Sequence, residues 1–447
     1  MKIDKELGIR LIEKAIEKGA DLAEVYVKTG RSLTVEVKEQ KVSAIESSLD
    51  FGFSIRIIRD GRLGFSFSTT HQPNPDSIDE VIDRAIEASR WTEKDRFLSL
   101  PHGSETGEMN IFDTSVADIS EDLAIEKALS IEKAALNEDR RIKKVRKASA
   151  TFSEKYVHIF NSLGLSKEYR ATACIAQIMV VAEDSGEGQM GWDFYGSRFL
   201  NSLCFEDVGR NAARRALKLL GAKRITPEKI KIILDNSVAT EFLGLFSALL
   251  SSENVQKGKS LLSNKLSQQV VSPVINIIDD PTIEVYLGSR PFDDEGVASS
   301  IRYLIRDGIL IDYMYNTYTA NKEGRESTGN AVRHGYSSLP SVGPSNLFIS
   351  SERAIPVKSL IESLDRGVYI TEVMGLHTAN PVSGEFSIGV SGLWIEKGMV
   401  RYPIKEAIIS GNILELFSKV EALGDDLRFY GNSGSPSLLI GPTDLSA

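Results

Sequence analysis

Apolar and polar residues alternate with a period of two near the start of the chain, and this pattern constrains the fold most. The alternating apolar positions are Leu33, Val35, Val37, Phe51, Phe53, Ile55 and Ile57. Asp60-Gly61 ends the second run and is a strong signal for a two-residue hairpin. Alternation sends successive side chains to opposite faces of a strand, so one face is buried. The pattern predicts strands from about residue 22 to about residue 68.

Helical patterns flank these strands and recur later in the chain. The predicted helices of the first half start near Asp4 and stop at Gly19, then cover 77–90, 120–137 and 205–220. Further strands are predicted within 150–160, 171–182 and 189–195. The result is two helix-sheet-helix segments, 1–95 and 111–222. Neither has enough helix to cover both faces of its sheet, so we expect them to pair in one N-terminal α/β layered domain, residues 1–222.

Pro227 marks the predicted boundary to a second domain, residues 228–447. It starts with a short strand at 229–234 and a nearly all-round apolar helix at 238–250, which belongs in a core or an interface. Beyond this helix the pattern is strand-dominated and rich in glycine, with hairpin turns at 306–308 and 396–398. The predicted fold class is α+β, with a β-rich, mainly antiparallel C-terminal domain.

Composition limits the chemistry that the chain can perform. The 447 residues suffice for two to four units with a sizeable core, and the formal net charge is −9. An acidic surplus argues against direct binding of nucleic acid, which selects for clustered Lys and Arg. The basic residues at 140–147 are predicted to form a solvated face.

Histidine and cysteine are scarce and widely spaced. The five histidines and two cysteines are His71, His102, His158, His334, His377, Cys174 and Cys204. No helical His-x-x-x-His pair, zinc ribbon or disulfide framework is available, so the histidines and cysteines themselves predict no metal site. The N-terminus has no signal-peptide pattern and no apolar run reaches the length of a membrane span. We therefore expect a cytoplasmic protein without a membrane segment.

Three acidic clusters are candidates for metal binding or acid–base chemistry: Asp279-Asp280, Asp293-Asp294-Glu295 and Asp425-Asp426. Neighbouring strand residues point to opposite faces, which favours turns and strand ends instead. A polar loop, Ser327 to Arg333 followed by His334, could contact a ligand through Asn330 and Arg333, although an exposed turn is the simpler interpretation.

The segment Gly375–Gly392 is the most suggestive for binding. His377, next to Thr378, Ser383 and Glu385, could act as a general base, but without a nucleophile motif a structural role is favoured. Glycine and serine alternate from 384 to 392, which fits a strand that another backbone can approach closely. Such a strand could accept a peptide as an additional strand. The peptide-binding candidates are Gly375, His377, Thr378, Asn380, Ser383, Gly384 and Phe386.

Strings along the whole chain resemble the TldD/PmbA family. They are Lys257-Gly-Lys-Ser260, Ser272–Asp280, Phe292–Gly296, Ser327–Arg333, Gly375–Ser387 and Asn432–Pro436, together with Phe51-Gly-Phe and Asp60-Gly61 near the start. The resemblance implies a link to peptide proteolysis and, historically, to modulation of DNA gyrase.

The resemblance also implies a missing metal site. The TldD-like branch carries His-Glu-x-x-x-His on a helix, with two zinc-binding His, a Glu base and a further Cys ligand near the C-terminus. Counting back from Lys257-Gly258, this pattern falls on Leu243, Gly244 and Ala248, which offer neither a metal ligand nor a base. Both cysteines precede residue 205. The strings at 375–386 and 394–395 are similar to the PmbA (TldE) branch, which implies a TldD-like partner that supplies the zinc.

Two hypotheses remain open. The first is a non-catalytic subunit that helps to enclose and bind unfolded peptides beside a TldD-like HExxxH metallopeptidase, with a homodimer when the partner is absent. The second is a peptidase or hydrolase in its own right, which would use the acidic clusters or His377 with an unassigned metal.

Overall fold

The computed structural model describes residues 5–70, 75–103 and 105–446. His71 and the Asp4 cap lie outside the described residues. In the N-terminal part the helices are α1 (Lys5–Glu17), α2 (Pro75–Ser89), α3 (Thr114–Ala117), α4 (Glu121–Glu138) and α5 (Phe205–Lys218). The strands are β1 (Leu22–Lys38), β2 (Lys41–Arg59), β3 (Arg62–Ser68), β4 (Ile142–Asn161), β5 (Ser166–Asp184) and β6 (Glu187–Ser197).

The six strands of the N-terminal part form one antiparallel sheet in the order β3-β2-β1-β4-β5-β6. The two predicted segments pair within one continuous sheet. The strands β1 and β4 join them, with Val27 opposite His158, for example. The strand β4 begins at Ile142, earlier than the predicted 150, and so includes most of the basic run.

Both helix pairs cover the same face of this sheet. Val25 and Val27 of β1 belong to the core beneath α1 and α2, whereas Val35 and Val37 belong to the core beneath α4 and α5. All four positions are odd-numbered on one strand and so share a face. The other face is buried against the C-terminal part, where Tyr26, Val157 and Tyr169 pack with Phe292.

The C-terminal part is rich in short elements. Its helices are α6 (Asn236–Ser247), α7 (Ser252–Gln256), α8 (Thr317–Lys322), α9 (Val357–Glu362) and α10 (Ile413–Ser418). Its strands are β7 (Glu228–Leu234), β8 (Asn276–Asp279), β9 (Arg302–Arg306), β10 (Ile309–Leu310), β11 (Ala331–Val332), β12 (Ser341–Val342), β13 (Leu347–Ser350), β14 (Arg366–Met374), β15 (Glu385–Glu396), β16 (Met399–Asn412), β17 (Val420–Leu423), β18 (Arg428–Tyr430), β19 (Ser433–Ser435) and β20 (Leu438–Ser446).

Two six-stranded sheets dominate this part, in the orders β10-β9-β8-β13-β19-β18 and β16-β15-β14-β7-β20-β17. Most neighbours are antiparallel, whereas β13 pairs with β19 and β14 with β7 in parallel. The mixed α+β class with a mainly antiparallel C-terminal part is confirmed. The largest hydrophobic core lies around α6 and is contributed by both sheets.

The three hairpin turns predicted from Asp-Gly and Lys-Gly pairs connect β2 to β3, β9 to β10 and β15 to β16. Asp60, Asp307 and Lys397 all have positive φ, as do the glycines that follow them. Within the described ranges no helix is long and apolar enough to cross a membrane.

Candidate functional site

The helix α6 has one buried face and one exposed face. Asp235 caps its start, because its Oδ1 accepts a hydrogen bond from the Ser237 backbone N–H at 3.1 Å. Phe242, Leu243 and Phe246 are fully buried in the core, whereas Glu241 and Gly244 are exposed. The expectation of an all-round buried helix is therefore correct for only one side.

An open space lies over Gly244. A Cβ placed on this residue would meet no heavy atom within 4 Å. Ala248, one turn further on, begins a 3₁₀ turn and is half-buried. Leu243, in contrast, is completely enclosed. Of the three positions predicted to correspond to a metal site, Gly244 is therefore exposed, Ala248 half-buried and Leu243 buried.

A strand edge without a partner lies next to the start of α6. The last residue of β7, Leu234, pairs with Ile370 of β14, and the Asp235 N–H donates to the Ile370 carbonyl at 2.9 Å. The strand β14 then continues through Met374, and in the described part of the chain Thr371–Met374 have no strand on this side. Unpaired backbone groups of this kind are templates for an added strand.

The segment predicted to bind peptide comes directly after this edge. Gly375, with a φ of 86°, starts a 3₁₀ turn over Leu376–Thr378. The ring of Phe386 contacts the ring of Phe242 on α6 edge-to-face, with centroids 5.2 Å apart. The structure thus places the predicted segment, the free edge of β14 and α6 together. We call this region the α6 cleft and define it by Glu241, Gly244, Ala248, Thr371–Met374 and 375–386.

The candidate residues within 375–386 differ in accessibility. His377, Thr378 and Asn380 are exposed, Ser383 is half-buried, and Gly384 and Phe386 are buried. Asn380 organises the loop, because its Oδ1 accepts hydrogen bonds from the N–H groups of Val382 and Ser383. Among the described residues no hydrogen bond joins the His377 ring to a hydroxyl, so the geometry does not assemble a nucleophile for it.

Two carboxyl groups that the sequence did not single out, on Glu372 of β14 and Glu241 of α6, are close enough to interact electrostatically. Burial raises the pKa of Glu372 to about 7; Arg215 opposes this shift and Glu241 adds to it. Burial also raises the pKa of Glu241, against Arg215. The Oε1 atom of Glu372 and the Oγ1 atom of Thr371 are buried and have no hydrogen-bond partner in the described structure. An acidic residue on a strand that is otherwise apolar, Val368 to Ile370, was the available signal in the sequence.

Arg215 of α5 connects the N-terminal part to the start of α6. Its guanidinium donates to Ser237 Oγ at 3.1 Å, to Asp235 Oδ1 at 3.2 Å and to Tyr430 Oη at 2.9 Å. It also lies over the ring of Trp192. Arg215 is thus occupied by partners other than the two glutamates, which leaves their charge largely uncompensated.

Replacing Glu372 with glutamine is expected to stabilise the protein in alkaline but not in acidic solution. The pKa of Glu372 rises from its ordinary 4.5 to about 7 on folding, so the folded state binds the proton more tightly. The wild type therefore loses stability as the pH rises from 4.5 to 7. After allowance for partial exposure, we expect Glu372→Gln to gain about 1–2 kcal/mol at pH 8 and nothing at pH 4. Urea unfolding of the wild type and the variant at pH 8 and at pH 4 measures the change in the free energy of unfolding. A change of the same size at both pH values would contradict the prediction.

One residue of each acidic cluster considered for metal binding is held by hydrogen bonds within the fold. Asp279 Oδ1 accepts from the N–H and hydroxyl of Ser345, and its Oδ2 accepts from Asn330 Nδ2 at 2.6 Å. Asp293 accepts from the N–H groups of Glu295, Val297 and Ala331. Asp426 likewise bonds to Ser437. In the ranges that the structure covers, no group of three or more His, Cys, Asp or Glu side chains could hold a metal ion.

The polar loop 327–333 is buried in the contact between the two parts, so the interpretation as an exposed turn is wrong. Its Arg333 forms an ion pair with Glu24 of β1, and both side chains are essentially inaccessible. Glu24 also pairs with Arg56 of β2 at 2.7 Å, and Arg56 reaches Glu295 at 2.9 Å. Asn330 and Arg333 therefore hold the structure together and are not free for a ligand.

Together the fold and the α6 cleft define an α+β protein with a sheet edge beside an exposed helix face. Models of the PmbA/TldA metallopeptidases match residues 23–89 (domain 1), 114–220 (central domain) and 227–446 (C-terminal domain). The chain belongs to this PmbA/TldD metallopeptidase family.

Similar proteins cover nearly the whole chain. A metalloprotease PmbA homolog of Buchnera aphidicola is 28% identical and covers 95% of this chain and 92% of its own length. The crystal structure of a proposed modulator of a DNA gyrase from Thermotoga maritima has a TM-score of 0.90 at 27% identity, covering 99% of this chain and all of that one. TldE from Thermococcus kodakarensis has a TM-score of 0.87 at 24% identity over 98% and 99% of the two chains, which indicates a shared fold.

Proposed function

We propose that this protein is a non-catalytic, PmbA/TldE-like subunit that binds extended peptide beside a TldD-like metallopeptidase. One observation carries the proposal. The α6 cleft combines an unpaired strand edge of β14 with the exposed face of α6 at Gly244. By the family resemblance, Leu243, Gly244 and Ala248 correspond to the metal-binding pattern of the TldD-like branch. An extended peptide backbone would lie along this edge, and the side chains at 243, 244 and 248 offer neither a zinc ligand nor a base for water.

An added strand explains why the cleft is open. An extended peptide next to Thr371–Met374 would form main-chain hydrogen bonds with the free edge of β14, independently of its sequence. Unfolded chains offer such a backbone, whereas folded proteins do not. The exposed His377, Thr378 and Asn380 lie where they could contact the side chains of such a peptide.

The decisive experiment is purification from the native host followed by a peptidase assay. We expect this chain to be recovered with a partner that carries His-Glu-x-x-x-His, and cleavage of an unfolded peptide only when both chains are present. Robust cleavage by this chain alone would overturn the proposal and favour an independent hydrolase. Its size in isolation, measured by light scattering, tests for the homodimer.

Filling the groove over Gly244 is expected to weaken peptide binding. Gly244→Gln would extend a long side chain into the open space over the helix, whereas Gly244→Ala adds one methyl group there. We expect fluorescence anisotropy with a labelled unfolded peptide to give an affinity at least about tenfold lower for the glutamine variant, or about 1.4 kcal/mol. The alanine variant should bind as the wild type does, and equal affinities for all three proteins would place the peptide elsewhere.

Elemental analysis of the pure protein is expected to find no stoichiometric zinc. The candidate positions carry two aliphatic side chains and a glycine, and the described residues contain no other ligand cluster. Removal of metal with a chelator should therefore leave the unfolding curve unchanged. One tightly bound zinc ion per chain would contradict this expectation.

A further inference from the structure

The strand β2 extends well beyond its neighbour β3. The strand β3 pairs only with the second half of β2, Phe53 to Arg59, whereas β1 pairs with β2 from Lys41 onwards. In the described part of the chain no strand lies on the outer side of residues 41–52, and every residue from 41 to 50 is exposed. Proteins commonly block such an edge with proline or lysine, but residues 44–50 of β2 contain neither. The edge is therefore a template for another strand.

The free part of β2 is held in place by the neighbouring elements. Glu132 of α4, only 1% exposed, accepts hydrogen bonds from the backbone N–H groups of Glu39, at 2.9 Å, and Gln40, at 2.7 Å, in the turn between β1 and β2. Further along, the hydroxyl groups of Ser32 and Ser48 lie 2.8 Å apart across the two strands. Because the hairpin is already ordered, a partner strand would bind it with little further loss of conformational entropy in β2.

One face of the free edge carries exposed apolar side chains. Ile45 lies opposite Val35 of β1, whose side chain belongs to the core beneath α4 and α5. Leu49, four positions further on, shares this helix-covered face of the sheet. Ile45 is nevertheless 41% exposed and Leu49 76% exposed. These two side chains would be covered by a strand that adds to the edge and presents apolar residues on the same face.

A second copy of β2 is such a strand. Two copies joined antiparallel about a two-fold axis at Ser47 would place Ile45 of each copy opposite Leu49 of the other, on the helix-covered face. On the other face Glu46 would lie opposite Ser48. Direct cross-strand pairs of this kind stabilise a sheet, and the symmetry forms the apolar pair twice.

The charges of β2 select this register over its neighbours. A shift by two residues in one direction would place Glu46 opposite Glu46 of the second copy. A shift by two in the other direction would place Glu46 opposite Asp50, and like charges directly opposite each other are destabilising. A shift by one residue would turn the apolar side chains of one copy to the opposite face. The strand is therefore complementary to itself in one register.

We propose that residues 44–50 of β2 are a dimerisation surface, which binds a second copy of this chain about a two-fold axis at Ser47. The two six-stranded sheets would then form one continuous antiparallel sheet, with the helix pairs of both copies on the same face. The proposal rests on the proposed function only in assigning a surface to the homodimer expected when the TldD-like partner is absent. It requires neither peptide binding nor zinc.

Cysteine crosslinking of the full chain tests the register. In a Cys204→Ser background, which removes the exposed native thiol, Ser47→Cys would bring two thiols directly opposite each other across the axis, within reach of a disulfide. The matched control is Ser48→Cys on the same strand, whose two copies would be diagonal neighbours roughly 7–8 Å apart. That separation is too large for a disulfide, so we expect at least about tenfold more covalent dimer from Ser47→Cys under mild oxidation.

Loss of the apolar pair tests the same surface without crosslinking. Leu49→Lys removes both contacts between Leu49 and Ile45, and we expect the dissociation constant of the dimer to rise at least about tenfold. Val400→Lys on β16, where the valine is 44% exposed, is the control and should leave the dissociation constant unchanged. Sedimentation equilibrium of the three proteins measures the constants.

Several outcomes would overturn the proposal. They are a monomeric wild type at high concentration, equal or greater crosslinking by Ser48→Cys, and a dimer that Leu49→Lys leaves intact. A crosslink from Ser47→Cys solely to a different chain in the native host would also overturn it, because the edge would then bind another protein. All of these measurements are made without peptide or peptidase activity, so the proposed function and this surface can fail separately.

Discussion

Replacing Arg56 with methionine is expected to lower the free energy of unfolding by about 3–5 kcal/mol, because it leaves the buried Glu295 carboxylate without its ion-pair partner and Glu24 with Arg333 alone. Arg56 is 7% exposed and lies between Glu24 and Glu295, which are 1% and 0% exposed. Burial alone would lower the pKa of its guanidinium, but the two glutamates raise it above its ordinary value. Arg56 thus forms ion pairs with two buried carboxylates at once.

Arg31→Met on the neighbouring strand is the matched control for this experiment. Its Nε lies 2.6 Å from Glu154, but 48% of its side chain is exposed, so the loss should be about 0–1 kcal/mol. Urea unfolding of both variants measures the difference. If Arg56→Met lost no more stability than Arg31→Met, the buried network would not be what joins the two parts. The double variant Arg56→Met with Glu295→Gln should recover part of the loss, since it removes one of the stranded charges.

The second large effect on stability is expected from alanine substitutions at two helical glycines, one packed against another helix and one exposed. Gly209 of α5 crosses α4 so closely that a Cβ would lie 2.1 Å from the Ile131 carbonyl oxygen. Because backbone cannot move aside as a side chain can, Gly209→Ala must separate the helices, and we expect a loss of about 3 kcal/mol. Gly244→Ala meets open space and should instead gain about 0.5–1 kcal/mol from helix propensity.

Thermal unfolding of the two alanine variants provides the measurement for this pair. If both variants raised the melting temperature, or both lowered it, either the tight helix crossing at Gly209 or the open space at Gly244 would be contradicted. The result for Gly244 also bears on the α6 cleft, because a destabilising methyl group there would mean that the groove is filled.

Local features of the sequence predicted local structure well. The alternation at 33–37 and 51–57 became β1 and β2, and Asp60-Gly61 became the turn between β2 and β3. The turns at 307–308 and 397–398 followed from the same preference of Asp-Gly and Lys-Gly for positive φ. Each of these signals depends on a few neighbouring residues, so it predicts local structure independently of the rest of the fold.

Contacts between residues that are far apart in the sequence could not be predicted in this way. Arg56 and Glu295 are 239 positions apart, so no local pattern could show that the acidic cluster at 293–295 is an ion-pair partner and not a metal site. The free edge of β14 could not be predicted either, because it results from β7 ending at Leu234 while β14 continues. Glu372 becomes a candidate through its surroundings, whereas Gly375 and Phe386 are predicted from the sequence pattern and stay predictions.

The pairing of β1 with β4 has a consequence for the order of events during synthesis. When a ribosome has released only the first three strands, β1 has one neighbour. Its other edge stays open until β4 (Ile142–Asn161) emerges, more than 70 residues after β3 ends at Ser68. Non-local pairing of this kind is slow and exposes strand edges to wrong partners. The nascent chain therefore passes through a long interval in which half of its central sheet is missing, and this interval is where we expect a chaperone to matter most.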